Sequence, residues 1–241
     1  MIEIKDLHKS FGKVTAVDGL DLCAVDGEIT GLIGPNGAGK TTTFRIIAGL
    51  LKSDRGSALV DGKDSATDRI EAQRRLGVLP DVRGLYMRLT GREHVRYHGR
   101  LHDARGPELE DRIDKLIACL EMTDFADRRA RGYSRGQELK VALARALVHA
   151  PHNLILDEPT NGLDVVSSRA VRALLGEMRD DGACILIASH NLAEVSALCD
   201  RLYIVAHGRI VVSGTPDELR AHTQEQDFED MIVTALAKGA L

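Results

Sequence analysis

The sequence predicts an α/β fold, and three observations carry that prediction. The apolar runs Leu154-Ile155-Leu156 and Cys184-Ile185-Leu186-Ile187-Ala188 lack polar alternation, as strands buried on both faces of a parallel sheet do. From Ser134 onward, helical and strand-like segments alternate, the pattern of βα units. The opening segments IEIKDL, VTAVDGLDL and EITGLIG read as β.

The elements follow in order. A helix is expected over 40–50, a strand over 57–60 ending in the turn Asp61-Gly62, and a strand LGVLP closing at Pro80. From Thr90 to about Met122 the pattern is helical and polar, with Thr90 and Glu93 spaced as a capping box. Leu109, Ile113, Leu116, Ile117 and Leu120 recur there at helical spacing. Helices over 134–150, 165–179 and 192–198 then alternate with strands NLILD and CILIAS, and strands RLYIVA and RIVVS follow. Thr215, Pro216 and Glu218 supply the cap, first position and third position of another helix. The residues after His222 read as a short amphipathic helix. The whole is one α/β core with a helical insertion at roughly 84–150.

Composition narrows the function. The chain has 241 residues, 44% hydrophobic and 28% charged, enough for a packed core. A net charge of −4 argues against a partner held by positive charge, and 3% aromatics without Trp against a base-stacking platform. No nucleic-acid partner is therefore expected. No apolar run reaches 18 residues, and the charged N-terminal segment offers no signal-peptide core, so a cytosolic chain is expected. Cys23, Cys119, Cys184 and Cys199 form no CxxC pair and are read as small apolar core residues.

Gly34-Pro35-Asn36-Gly37-Ala38-Gly39-Lys40-Thr41 matches GxxxxGK[ST] between an apolar strand and a helix. Glycines let the backbone wrap a phosphate, successive N–H groups and a helix N-terminus attract it, Lys40 reaches the terminal phosphates, and Thr41 can ligate Mg²⁺. Asp157 and Glu158 close an apolar strand, where one carboxylate can hold Mg²⁺ and the next can activate water. Ser134 and Gln137 have capping-box spacing, and the helix-disfavoured Gly136 between them would let a phosphate approach.

These motifs, with Gly162-Leu163-Asp164 and Ser189-His190, stand in the order found in ABC ATPases, and the sequence resembles that family over about residues 1–220. The resemblance implies a P-loop cassette: a mostly parallel core sheet, an N-terminal antiparallel β portion and a helical lobe. Residues 1–83 and 151–220 would form the core, 84–150 the helical lobe, and 221–241 a tail helix. Phe11 would stack on adenine, and Gly34, Asn36, Gly37, Ala38, Gly39, Lys40, Thr41 and Thr42 would bind ATP. Thr41 and Asp157 would hold Mg²⁺, Glu158 would be the catalytic base, and His190 would contact the γ-phosphate. Ser134, Gly136, Gln137 and Asp164 would complete the site of an opposite subunit, identical or related. The resemblance further implies separate transmembrane permease subunits, with this chain peripheral on the cytoplasmic face of the membrane. A soluble ABC ATPase serving cluster assembly stays open as the alternative.

The sequence departs from the family at Tyr133, Arg135 and Asp81. The family usually has Gln where Asp81 stands; a shorter anionic side chain there could still touch Mg²⁺. The segment from Leu79 to about His102 is similar to NatA-type subunits, associated with sodium extrusion. Residues 69–105 carry nine Arg against four carboxylates, and the family presents this region to its membrane partner. His94, His98 and His102 recur every four residues and are read as a solvent- or partner-facing stripe rather than a metal site.

Overall fold

The computed structural model describes residues 1–81, 84–225 and 227–238. In chain order its first elements are β1 (Ile2–Phe11), β2 (Val14–Ala24), β3 (Ile29–Ile33), α1 (Lys40–Ile47), β4 (Arg55–Val60), β5 (Lys63–Asp64), α2 (Arg69–Arg74) and β6 (Leu76–Leu79). Then come α3 (Gly91–Leu101), α4 (Gly106–Cys119), α5 (Arg135–Leu147), β7 (Asn153–Asp157), α6 (Val165–Asp180), β8 (Cys184–Ser189) and α7 (Leu192–Leu198). The chain finishes with β9 (Arg201–Ala206), β10 (Arg209–Gly214), α8 (Pro216–Thr223) and α9 (Phe228–Lys238).

Two sheets organise these elements. One is antiparallel, in the order β2-β1-β4-β5, and the other runs β10-β9-β3-β8-β7-β6. In the second, β9, β3, β8, β7 and β6 are parallel, and only β10 is antiparallel to its neighbour. Mixed sheets with a single antiparallel edge are common in α/β folds. The expected α/β class, with its antiparallel opening, parallel core and helical section, is what the chain adopts.

Burial explains the unalternated runs. Every residue of β3, β7 and β8 is buried. Ile185 and Ile187 face the cluster shared with α3, α4 and α5, whereas Leu186 and Ala188 face the one shared with β1, β2 and α1. Both faces of β8 are therefore covered, and neither side of the strand can be polar.

Local signals set several boundaries. Thr90, Ser134 and Thr215 each accept from the backbone of the third helical residue, whose side chain returns the bond, so all three expected boxes form. The helical stretch expected from Thr90 to about Met122 is built as two helices, α3 and α4. Asp103 and Gly106 adopt positive φ, and Pro107 stands in the first turn of α4, so the chain turns there. Strand β5 and helix α2 were not foreseen. Helices α1 and α5 end at Ile47 and Leu147, three residues short of expectation. In the tail, Met231 and Ile232 of α9 are buried against the main core.

Candidate nucleotide site

The parallel strands β3, β8, β7 and β6 lie side by side, so their C-terminal ends share one edge of the sheet. That edge is where open α/β sheets place ligands. It receives the 34–39 loop after β3, His190 after β8, Glu158 after β7 and Asp81 just beyond β6.

These residues line one cleft of about 430 Å³: Phe11, Ala16, residues 36–42, Asp81, Asp157, Glu158, Asn161 and His190. Phe11 stands 51% exposed at this cleft, open to a planar ligand. Of the expected residues, Gly34, Ser134, Gly136, Gln137 and Asp164 do not line the cleft. Ala16 and Asn161 were not singled out from sequence. Neither carries a motif, and only folding brings them here.

The loop needs its glycines for two different reasons. At Gly34 an added Cβ would stand 2.1 Å from the carbonyl oxygen of Val205. At Gly39 φ is 106° and an added Cβ would meet the Ala16 carbonyl at 2.3 Å. Gly39 also precedes α1, so the helix's unpaired N–H groups point toward the loop. Lys40 Nζ donates to the carbonyls of Gly34 at 2.6 Å and Pro35 at 3.1 Å. Burial pushes the Lys40 ammonium below its ordinary pKa, opposed by Glu158 and Asp157. An arriving anion would relieve that penalty.

The carboxylates are held differently. Asp157, buried, accepts from the Thr41 hydroxyl at 3.1 Å. Burial raises its pKa, the Thr41 bond opposes this, and the charges of Asp81 and Glu158 raise it further. Thr41 and Asp157 are an all-oxygen donor set in a site with surplus negative charge, which fits a hard divalent cation such as Mg²⁺. Glu158 sits in the left-handed region at φ 53°, a conformation a side chain disfavours and that clusters at functional sites. Its carboxylate accepts from Ser189 Oγ at 3.2 Å, His190 N at 2.9 Å and His190 Nδ1 at 2.6 Å. The His190 side chain is 63% exposed, so it holds Glu158 and still faces the cleft.

A second surface gathers the remaining expected residues. Asp164 caps α6 through Ser167 N at 2.8 Å, and its pKa is lowered first by that bond. An added Cβ on Gly136 would lie 3.0 Å from the Gly162 carbonyl, so the turn opening α5 rests on the 160–164 loop. Tyr133, the first departure from the family, is buried: its hydroxyl accepts from Gly91 N at 3.1 Å and reaches the carbonyls of Phe125 and Arg128, each at 2.8 Å.

Two expectations need correcting. The histidine stripe does not face outward, for His94 is 0% exposed. Its Nδ1 meets the Thr90 carbonyl at 2.7 Å and Nε2 accepts from Tyr86 N at 2.8 Å, so it packs as a neutral ring under the loop. His102 stacks on His149 with ring centroids 3.6 Å apart. Among the cysteines only Cys184 and Cys199 are buried; Cys23 is intermediate and Cys119, on the outer side of α4, is exposed.

Comparison with known proteins places these features. The family model described as ABC transporter matches residues 17–161. The ABC transporter ATP-binding protein NatA of Bacillus subtilis (strain 168) is 37% identical over 244 residues, covering 99% of each chain. A solved structure of the ATP binding subunit of an ABC transporter superposes with a TM-score of 0.92 at 29% identity, covering 98% of this chain and 99% of that one. A dimeric ATP-binding cassette in a post-hydrolysis state, bound to ADP and Pi, matches with a TM-score of 0.79 at 26% identity, over 89% of this chain and 98% of that one.

Proposed function

The chain belongs to the ABC transporter family of ATP-binding proteins, and from that premise we propose how its residues hydrolyse ATP and drive a membrane partner. The observation that carries the reading is the joint placement of Lys40, Thr41, Asp157, Glu158 and His190 around one cleft at the sheet's C-terminal edge.

The 34–39 loop and the α1 N-terminus take the phosphates, Lys40 exchanges its carbonyl partners for phosphate oxygens, and Phe11 covers the base. Thr41 and Asp157 would hold Mg²⁺, which supplies neutralisation of phosphate charge when bound. Glu158 accepts a proton from the attacking water, and His190, tied to Glu158, orients that carboxylate and reaches the γ-phosphate. Asp81 lines the same cleft and adds a third carboxylate toward the metal side. We assign Ser134, Gly136, Gln137 and Asp164 to the site of a second copy or related chain, because they lie outside their own cleft. The family's dimeric cassettes support that assembly. We place residues 1–220 in one ATPase domain, with α9 (Phe228–Lys238) in the tail that follows it.

Among the described residues no helix is long and apolar enough to cross a membrane. Its likeness to ATP-binding proteins of ABC transporters supports a transport path in separate transmembrane subunits, with this chain docked on their cytoplasmic face. Sodium efflux is the cargo reading, and it rests on the NatA resemblance.

The test is Glu158→Gln. ATP·Mg²⁺ binding is retained, turnover falls about 10²- to 10⁴-fold as for loss of a general base, and an ATP-bound dimer accumulates. Near-normal turnover removes Glu158 from the base role. Co-purification with a polytopic membrane protein supports the transport assignment, and capture of a soluble assembly scaffold instead overturns it.

A further inference from the structure

Away from the cleft, one carboxylate joins two surfaces that the phosphate loop never touches. Glu121 follows α4, where Met122 N donates to the Ile117 carbonyl at 2.8 Å and Glu121 N to the Ala118 carbonyl at 3.1 Å. This helix ending places Glu121 in the left-handed region, at φ 52°. Glycine is the residue such a position favours, and a glutamate there is disfavoured unless its side chain is needed.

The side chain is engaged at both ends of a short bridge. Glu121 Oε2 accepts from Lys140 Nζ of α5 at 3.2 Å. It also lies 3.3 Å from Ser167 Oγ, in the first turn of α6. The single Ser167 hydroxyl proton is shared with Asp164 Oδ2 at 3.0 Å, and Ser167 N donates to Asp164 Oδ1. At the near end of α5 the same two parts already touch, because Gly136 approaches the Gly162 carbonyl closely and Gly162 approaches Arg135. One polar bridge thus ties Lys140 of α5 to Ser167 of α6, and through it to Asp164, while one close backbone approach ties the start of α5 to the 160–164 loop.

We propose that Glu121 is a positioning residue that latches the 160–164 loop to α5, so that the surfaces carrying Ser134, Gly136, Gln137 and Asp164 meet a second copy as one unit. The proposal rests on the two-copy reading above. Glu121 lies outside the cleft, so its removal leaves nucleotide capture by one copy alone. It acts on how two copies close.

The experiment starts from Glu158→Gln, the background expected to collect as an ATP-bound dimer, and adds Glu121→Gly or Glu121→Gln. Glycine suits the positive φ, so Glu121→Gly keeps the melting temperature at or above that of its parent. ATP affinity of the single copy stays within about twofold, while the dimer dissociation constant weakens roughly tenfold, as for one charge-assisted hydrogen bond. Glu121→Gln, whose amide oxygen still accepts, falls between. An unchanged dimer constant in Glu121→Gly overturns the proposal. So does weakening matched by a lowered melting temperature in both variants, which reduces Glu121 to a folding contact. A Glu158→Gln parent that stays monomeric with ATP defeats the two-copy reading itself, and the latch with it.

Discussion

Gly39 concentrates two demands in one residue, a left-handed backbone and a 2.3 Å gap that no Cβ can enter. Gly39→Ala therefore displaces either the loop or Ala16, and nucleotide affinity should fall at least tenfold while the far-UV spectrum is kept. Wild-type affinity in that variant would falsify the requirement. Asp81 makes a different kind of demand. It lies in the cleft with Thr41 and Asp157, and its charge acts on the buried Asp157 carboxylate. Asp81→Ala removes one carboxylate from the cation side, so Mg²⁺-dependent ATP turnover weakens and the Mg²⁺ midpoint rises. Unchanged turnover and an unchanged midpoint reject a metal role for Asp81. Gly39 was visible in the sequence because a phosphate loop is a local pattern, whereas Asp81 was visible only through the family resemblance, as the residue standing where Gln is usual. Asn161 and Ala16 were not, since only the fold carries them to the same cleft.

At the scale of elements, legibility followed the range of the cause. Capping boxes at Thr90, Ser134 and Thr215 act within four residues, and all three were readable. The break between α3 and α4 was also written locally, in Gly106-Pro107, inside a stretch whose helical pattern was readable as a whole. The orientation of α3 had no local signal at all. His94 is buried because the 85–86 segment folds back over α3 and supplies a backbone donor, which periodicity cannot reveal. Tyr133 behaves in the same way. Its hydroxyl satisfies Gly91 N at the start of α3 and reaches two carbonyls of the 125–128 turn, joining two elements to the turn before α5. Tyr133→Phe leaves the Gly91 donor without that buried partner, and urea denaturation should register a loss of about 1–3 kcal/mol. A variant within about 0.3 kcal/mol of wild type would mean that water replaces the hydroxyl.

Across the whole molecule, the helical section meets the core along a seam whose cavity, about 420 Å³, is lined in part by Leu50, Ile70, Arg74, His98, His102 and Arg145. His98 lines this cavity and His149 stacks on His102, which also lines it; their pKa values are pushed down to about 3 and about 4, in both cases chiefly by burial. Arg145 and the neighbouring histidines lower His98 further; His102 and Arg112 lower His149, against a hydrogen bond to Leu76 that raises it. Both rings stay neutral in the folded chain at pH values where they would be charged in the unfolded one. Above about pH 6.5 neither state binds the proton, and these histidines contribute no pH dependence. As pH falls from about 6.5 toward 4, the unfolded chain takes up protons that the folded chain refuses, so stability falls with pH. The slope is at most about 1.4 kcal/mol per pH unit for each histidine, and less where solvent reaches the ring. Urea midpoints should therefore be level between pH 8 and pH 7 and decline between pH 6 and pH 4.5. A His98→Gln/His149→Gln variant should decline less steeply over the same interval. An equally steep decline in that variant would move the acid sensitivity away from His98 and His149 and onto other groups.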